Sequence, residues 1–243
     1  MGIPVIRHKE YTNGNVYLSG SMEYAPDGNL GKGWRTMCAE RLKQLKFYPL
    51  DIAELDSSYT AQHGDLFHSF GADEQHLLQM KSNIRKHFVN TDIELIVKDS
   101  DALILYYDEG VRKGAGTISE AQVAYLHDIP VFIVNSYDSL ANIPGWLKAL
   151  STKIFPSFDE LFEYIESLPP GIITRDVYGN HNAGNHYLCS LCGTPFEKHS
   201  NHFVSKVSPL YCKSCVEVVR ATFESHADRY QFFLDYLTTT DQE

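Results

Sequence analysis

No apolar run in the sequence approaches the length of a membrane span, and its start, MGIPVIRHKEYTNG, lacks the apolar core of a secretory signal. Positive charge is in deficit: 21 Lys and Arg stand against 31 Asp and Glu, for a formal net charge of -10. An acidic chain is badly suited to wrap duplex nucleic acid, where affinity comes from neutralising phosphates. A small phosphorylated ligand needs only a local pocket and is not excluded. Internal repeats and low-complexity tracts are also missing. Cysteine is scarce, with five in 243 residues: two CxxC pairs and an isolated Cys38. That grouping favours a metal over disulfides, and with no secretory signal it points to a reducing cytoplasm. The expectation is a cytoplasmic protein without membrane contact.

What is present is an ordinary globular composition, 43% hydrophobic, in a chain long enough for one substantial domain and something smaller. Residues 15 to 19 (NVYLS) read as a buried strand, followed by a Gly-, Pro- and Asp-rich loop from Glu23 to Gly33. Residues 34 to 46 have helical apolar spacing at Met37, Leu42 and Leu45. KFYPLDI, at 46 to 52, reads as a second strand that Pro49 places at an edge or ends early. Residues 53 to 72 read as a long loop, and a helical region runs from Glu74 to Lys98 with a break near Asn90. DALILYY, at 101 to 107, is the near-continuous apolar run of a central parallel strand. TISEAQVAYLHD then reads as a helix, PVFIVN as a strand, KIFPS as a short strand and FDELFEYIESL as an amphipathic helix. This alternation predicts an α/β fold with a doubly wound parallel sheet of Rossmann or flavodoxin-like type. The expected division is an α/β domain over 1–168, a linker over 169–186, and a zinc ribbon with a terminal helix over 187–243.

Cys189 and Cys192 form one CxxC pair and Cys212 and Cys215 the other, with 19 residues between Cys192 and Cys212. Two residues between cysteines let both thiolates face one tetrahedral ion, and this is the spacing of a two-knuckle zinc ribbon. Gly193 suits the knuckle turn. A redox dithiol opens a helix after a strand, and neither pair is so placed. His181, His186, His199 and His202 lie nearby and, with four cysteines available, read as surface residues. Four protein ligands leave zinc no open position, so its expected role is structural: it folds a segment too small to hold a core. Contact of this ribbon with nucleic acid or protein is open; Lys198, Lys206 and Lys213 make only a weak basic patch.

The segment DALILYYDEGVRKGAGTISE carries the candidate chemistry. A buried strand enters the loop Gly114-Ala115-Gly116-Thr117 and then a helix bearing Glu120. In open α/β sheets the ligand crevice lies beyond the carboxyl ends of the strands, where backbone N–H groups at a helix start favour an anion or polar ligand. A plainer reading is a capping box, with Thr117 as N-cap and Glu120 three residues on. A dinucleotide-binding loop fits less well, because the third glycine of GxGxxG is missing.

YLSGSM at the first strand, TDIELIVKDSDALIL, GAGTISEAQVA and NIPGW occur in order between residues 15 and 168. Together these blocks resemble the nucleoside 2-deoxyribosyltransferase superfamily, including its nucleotide N-hydrolase branch. The resemblance implies cleavage or transfer at an N-glycosidic bond, with Glu120 as nucleophile, Tyr17 positioning it, and Asp92 falling near the family's aspartate. It further implies a nucleoside or nucleotide bound by the loops carrying Gly20, Ser21, Gly114, Gly116 and Thr117. Asn142 falls on an asparagine supplied across a dimer interface, so a homo-oligomer is expected. Gly114 stands where transferases have an aspartate and nucleotide hydrolases often a serine. Asp108 is a candidate for that polar role, and Lys113 for meeting a phosphate. GAGTISE is also similar to the GxGTxxE of cytokinin-type phosphoribohydrolases, and a non-catalytic nucleotide-sensing module is a third reading.

Other residues attract plainer readings. Cys38 reads as a small buried hydrophobe. His63, His68 and His76 read as solvated loop histidines. Trp34 and Arg35 are candidates for substrate contact, Trp34 equally for core packing. Tyr230, Phe232, Phe233 and Tyr236 read as a packing face of the terminal helix.

Overall fold

The computed structural model describes residues 10–53, 74–174, 186–197 and 211–224. The expected loop over 53–72 lies almost wholly outside them, as do His63, His68, His181, His199, His202, Lys198, Lys206 and the aromatic cluster from Tyr230 to Tyr236.

Period-2 alternation organises the strands. On β1 (Gly14–Gly20), Val16 and Leu18 join one apolar cluster and Tyr17 faces the other. Beside it lie β2 (Phe47–Leu50), β3 (Ala102–Tyr107), β4 (Val131–Asn135) and β5 (Lys153–Phe155). The five strands form one sheet in the order β2-β1-β3-β4-β5, and every pairing is parallel. Pro49 sits on an edge strand, where its missing N–H costs no ladder bond.

Helices cover both faces, as an all-parallel sheet requires. Cys38 and Leu42 of α1 (Lys32–Gln44) and Leu161, Phe162 and Ile165 of α6 (Phe158–Ser167) pack on Val16, Leu18, Ile104, Phe132 and Val134. On the other face, Ala121 and Ala124 of α4 (Gly116–Leu126) and Leu147 and Leu150 of α5 (Gly145–Leu150) pack on Tyr17, Leu103, Leu105 and Ile133. The helical path expected from Glu74 runs through α2 (Glu74–Ile84) and α3 (Asn90–Glu94), with π-helical turns at Arg85–Val89 and Leu95–Asp99. The irregularity near Asn90 is therefore a pair of widened turns, with helical backbone through Asn90 itself.

Two expectations change. Met37 does not serve the core face of α1: it is 38% exposed, and the buried residues there are Arg35, Cys38 and Leu42. The start of the expected linker is anchored, since Ile172 and Ile173 are buried in the α1–α6 cluster and Thr174 Oγ1 donates to Asn13 O at 2.6 Å. The apolar pair in PPGIIT was the signal for this, obscured by its prolines and glycine.

The cysteine-bearing segment forms a hairpin of β6 (His186–Leu188) and β7 (Pro195–Glu197), followed by α7 (Lys213–Glu224). It docks on the outer edge of the large sheet. Tyr164 of α6 donates its hydroxyl to Gly193 O, and Leu188 packs against the α1–α6 cluster. Among the described residues no helix is long and apolar enough to cross a membrane.

Candidate functional site

Residues two apart on a strand share a face, so Tyr17 and Ser19 both look from β1 toward α4. Glu120, the fifth residue of α4, meets them there. Tyr17 Oη donates to Glu120 Oε1 at 3.2 Å, and Ser19 Oγ donates to Oε2. Each carboxylate oxygen thus has its own hydroxyl. Desolvation pushes the Glu120 carboxyl above the usual carboxylate range, while the bonds from Ser19 and Tyr17 and the positive field of Arg35 pull the other way.

This geometry overturns the capping box. The α4 helix starts at Gly116 with Ala115 at the N-cap and no side-chain cap, so Thr117 lies buried inside the first turn. The turn that closes from Gly110 O to the N–H groups of Lys113 and Gly114 leads directly into the helix and starts it early. Glu120 then faces the sheet hydroxyls instead of its own helix start.

Beneath the site lies Arg35, wholly buried. Its Nη1 donates to Leu30 O at 2.6 Å and Ser21 O at 3.3 Å, and its Nη2 donates to Gly20 O at 2.8 Å. Its Nε lies 3.7 Å from Asp51 Oδ1, and the guanidinium stands 4.6 Å over the Trp34 ring. Arg35 thereby fixes the loop leaving β1. Trp34 is core packing, stacked on Phe158 and tilted against Tyr106.

Ser21 and Asp108 clamp the loops after β1 and β3 together. Ser21 Oγ donates to Asp108 Oδ2 at 2.8 Å, and the N–H of Val111 donates to Oδ1 at 3.0 Å. A Cβ at Gly110 would lie 2.4 Å from Tyr24 O and 2.5 Å from Ser21 Cβ, so only glycine permits this approach. At Gly114 the Tyr24 ring lies 3.7 Å from where a Cβ would stand, and at Gly20 the Trp34 ring comes within 2.7 Å. Both loops therefore meet at the carboxyl ends of β1 and β3, where the strand order reverses direction.

The second candidate site is the cysteine cluster. The sulfurs of Cys189, Cys192, Cys212 and Cys215 all lie within 4.8 Å of one another. Cys192 Sγ and Cys212 Sγ are 3.8 Å apart, close to the ~3.8 Å edge of a tetrahedron with metal–sulfur bonds of ~2.3 Å. Gly193 turns the first knuckle in the left-handed region, φ 73°, with its N–H donating to Cys189 O at 2.8 Å. Desolvation opposes ionisation of Cys192, but the Thr194 hydroxyl and N–H, with the neighbouring Cys189 and Cys215 thiols, outweigh it and bring this thiol down to about 7. Desolvation pushes the Cys189 and Cys215 thiols up in the absence of an ion, and the four-sulfur donor set fits a soft tetrahedral metal ion.

No protein-family model matches the chain, and no curated protein or solved structure matches it either.

Of the residues singled out in the sequence, Tyr17 and Glu120 meet directly, and Ser21 and Asp108 meet each other. Asp92 is half-buried on α3, which packs against α4. Asn142 is exposed, and its backbone carbonyl accepts from Tyr107 Oη at 3.0 Å. Lys113 is exposed and lies 4.0 Å from Glu109, which also takes bonds from Arg112 and Tyr137 Oη. Gly116 opens α4 on the exposed side. Sequence reasoning missed Ser19 altogether, and it offered Arg35 as a substrate contact where the structure makes it a buried brace. Ser19 had one signal: a hydroxyl two residues from Tyr17 in a strand that otherwise reads as apolar.

Proposed function

We propose that the chain breaks or transfers the N-glycosidic bond of a (deoxy)nucleoside or nucleotide, with Glu120 as the nucleophile. The observation that carries this reading is the grip of Tyr17 and Ser19 on the Glu120 carboxylate at the carboxyl end of the parallel sheet. The strand order is that of flavodoxin-like doubly wound sheets, and the helices on both faces support that reading. The blocks that resemble nucleoside 2-deoxyribosyltransferases supply the reaction class.

A Glu120 oxygen attacks C1′ as the C1′–N bond breaks, and the electron pair leaves with the base, which takes up a proton. Asp92, on the helix packed against α4, is the candidate acid. Water then adds at C1′, the ester bond breaks, the water's proton is lost and the carboxylate is restored. A second base in place of water gives transfer. Tyr17 holds one carboxylate oxygen throughout. Ser21 and Asp108, hydrogen-bonded to each other, shape the crevice wall, while Lys113 stands exposed at the loop that leads into α4.

We read the metal of the cysteine cluster as zinc in a structural role, because four thiolates complete a tetrahedron and leave no site for water. Docked on the edge strand β5, the cluster is separated from β1 by two strands, roughly 14 Å of sheet. It takes no part in the chemistry.

The deciding experiment incubates the protein with a panel of nucleosides and nucleotides and follows free base by mass spectrometry. Base is released by the wild type, and Glu120→Gln lowers that rate on the order of 10⁴-fold or more. A folded Glu120→Gln protein with full activity refutes the nucleophile. A wild type that releases no base but binds a nucleotide favours the sensing module.

A further inference from the structure

Ser19 is wholly buried in the second strand of the sheet, on the face that Tyr17, Leu103, Leu105 and Ile133 make apolar. A hydroxyl there costs about 1–3 kcal/mol unless it is hydrogen-bonded. Among the described residues its side chain has one partner, Glu120 Oε2. An alanine or valine would pack this position without that cost, so the hydroxyl's value lies in the carboxylate it holds.

We propose that Ser19 is a positioning residue of the Glu120 site: with Tyr17 it fixes the plane of the carboxylate for attack. This rests on the reading of Glu120 as nucleophile. A carboxylate held by one hydroxyl still swings about its last torsion, and held by two it does not. The two donors reach different oxygens, Oε1 and Oε2, so whichever oxygen bonds C1′, the other keeps a donor when it becomes the ester carbonyl. The groups around the carboxylate divide in their effect. Burial under α4 drives it toward the neutral acid, whereas Ser19 and Tyr17 from β1 and Arg35 from α1 favour the anion. Of the groups that favour the anion, Arg35 is committed to three carbonyls and Tyr17 makes the long 3.2 Å bond. That leaves Ser19 as the donor whose removal most changes the nucleophile without disturbing the loops.

The test compares wild type, Ser19→Ala and Ser19→Thr with two readouts. The first is the titration of the Glu120 carboxyl by NMR of protein labelled with carbon-13 at glutamate side-chain carboxyls, its signal assigned by its loss in Glu120→Gln. The second is the pH profile of kcat for base release. Ser19→Ala is expected to move the Glu120 titration to higher pH and to shift the acid limb of the kcat profile the same way. It is expected to lower kcat about ten- to a hundredfold with KM little changed. Ser19→Thr, which keeps the hydroxyl, restores most of the kcat. A folded Ser19→Ala with an unmoved Glu120 titration overturns the proposal, whatever the activity. So does a Ser19→Ala whose losses appear only in melting temperature. If the wild type releases no base, the glycosidic reading falls, and the carboxyl titration alone then decides Ser19.

Discussion

Replacing Arg35 by methionine tests what holds the loop that leaves β1. Methionine occupies a similar volume and keeps the packing against Trp34, so the change isolates the guanidinium. Three backbone carbonyls, Gly20 O, Ser21 O and Leu30 O, lose their side-chain donor. Each carbonyl left dry costs about 1–3 kcal/mol. Two effects reduce the sum. Desolvation already lowers the guanidinium's proton affinity, a sign that burying this cation is itself unfavourable, and methionine removes that penalty. Asp51, its ion-pair partner at 3.7 Å, is 24% exposed at the side chain, so water can take over there. The net expectation is a loss of about 3 kcal/mol, near the lower end for breaking a buried charged contact. Urea unfolding by circular dichroism reads this as a lower midpoint at unchanged slope. Arg35→Lys, which brings one ammonium to three carbonyls, should recover only part. An Arg35→Met protein within about 1 kcal/mol of wild type, or more stable than it, refutes the idea that Arg35 braces this loop.

Glu120→Gln should change the pH dependence of stability. The native carboxyl keeps its proton to higher pH than in the unfolded chain, so its contribution is fully present below the ordinary carboxylate range and is lost as pH rises through the raised native value. The glutamine variant escapes that loss: melting curves from about pH 4 to about pH 8 should show it gaining on wild type as pH rises, and parallel curves count against the desolvated carboxyl. Gly110→Ala should cost about 1–3 kcal/mol and impair base release, because its Cβ meets Tyr24 O at 2.4 Å, whereas Gly116→Ala, with nothing within 4 Å, should be at least as stable as wild type in the same thermal melts. Elemental analysis of reduced protein should find one zinc per chain, and chelation should unfold the hairpin and α7 while the large sheet keeps its far-ultraviolet signal. Light scattering at micromolar concentration should find a dimer or larger species, and a monomer speaks against the role given to Asn142.

The parallel strands were legible because each is a short, nearly continuous apolar run between turn residues, and the observed bounds shift by only a residue or two. The cysteine cluster was legible because CxxC spacing is itself geometry. What escaped reading depended on contacts between distant segments. Arg35 reads in sequence as a candidate substrate contact, and only the loop carbonyls of Gly20, Ser21 and Leu30 make it a core residue. Thr117 and Glu120 satisfy a capping pattern locally, yet Tyr17 and Ser19, roughly a hundred residues earlier, compete for the carboxylate and win. Met37 fits a helical stripe by period, but the face of α1 that meets the sheet is rotated to Cys38 and Leu42.

The docking of the first knuckle has a further consequence for the assembly of the molecule. Among the described residues β5 is an edge strand of three residues, paired only with β4, and an uncovered edge of this kind invites a strand from another chain. The knuckle rests on its start: a Cβ at Gly193 would lie 3.1 Å from Lys153 Cβ and 3.3 Å from Thr152 O. The Lys153 ammonium, folded back over the Tyr164 ring at 4.3 Å, adds a charge that a neighbouring strand would have to bury. The cysteine-bearing hairpin thus lies where a strand from another chain would pair, and treatment with a chelator is expected to make the protein aggregate through β5 before its large sheet unfolds.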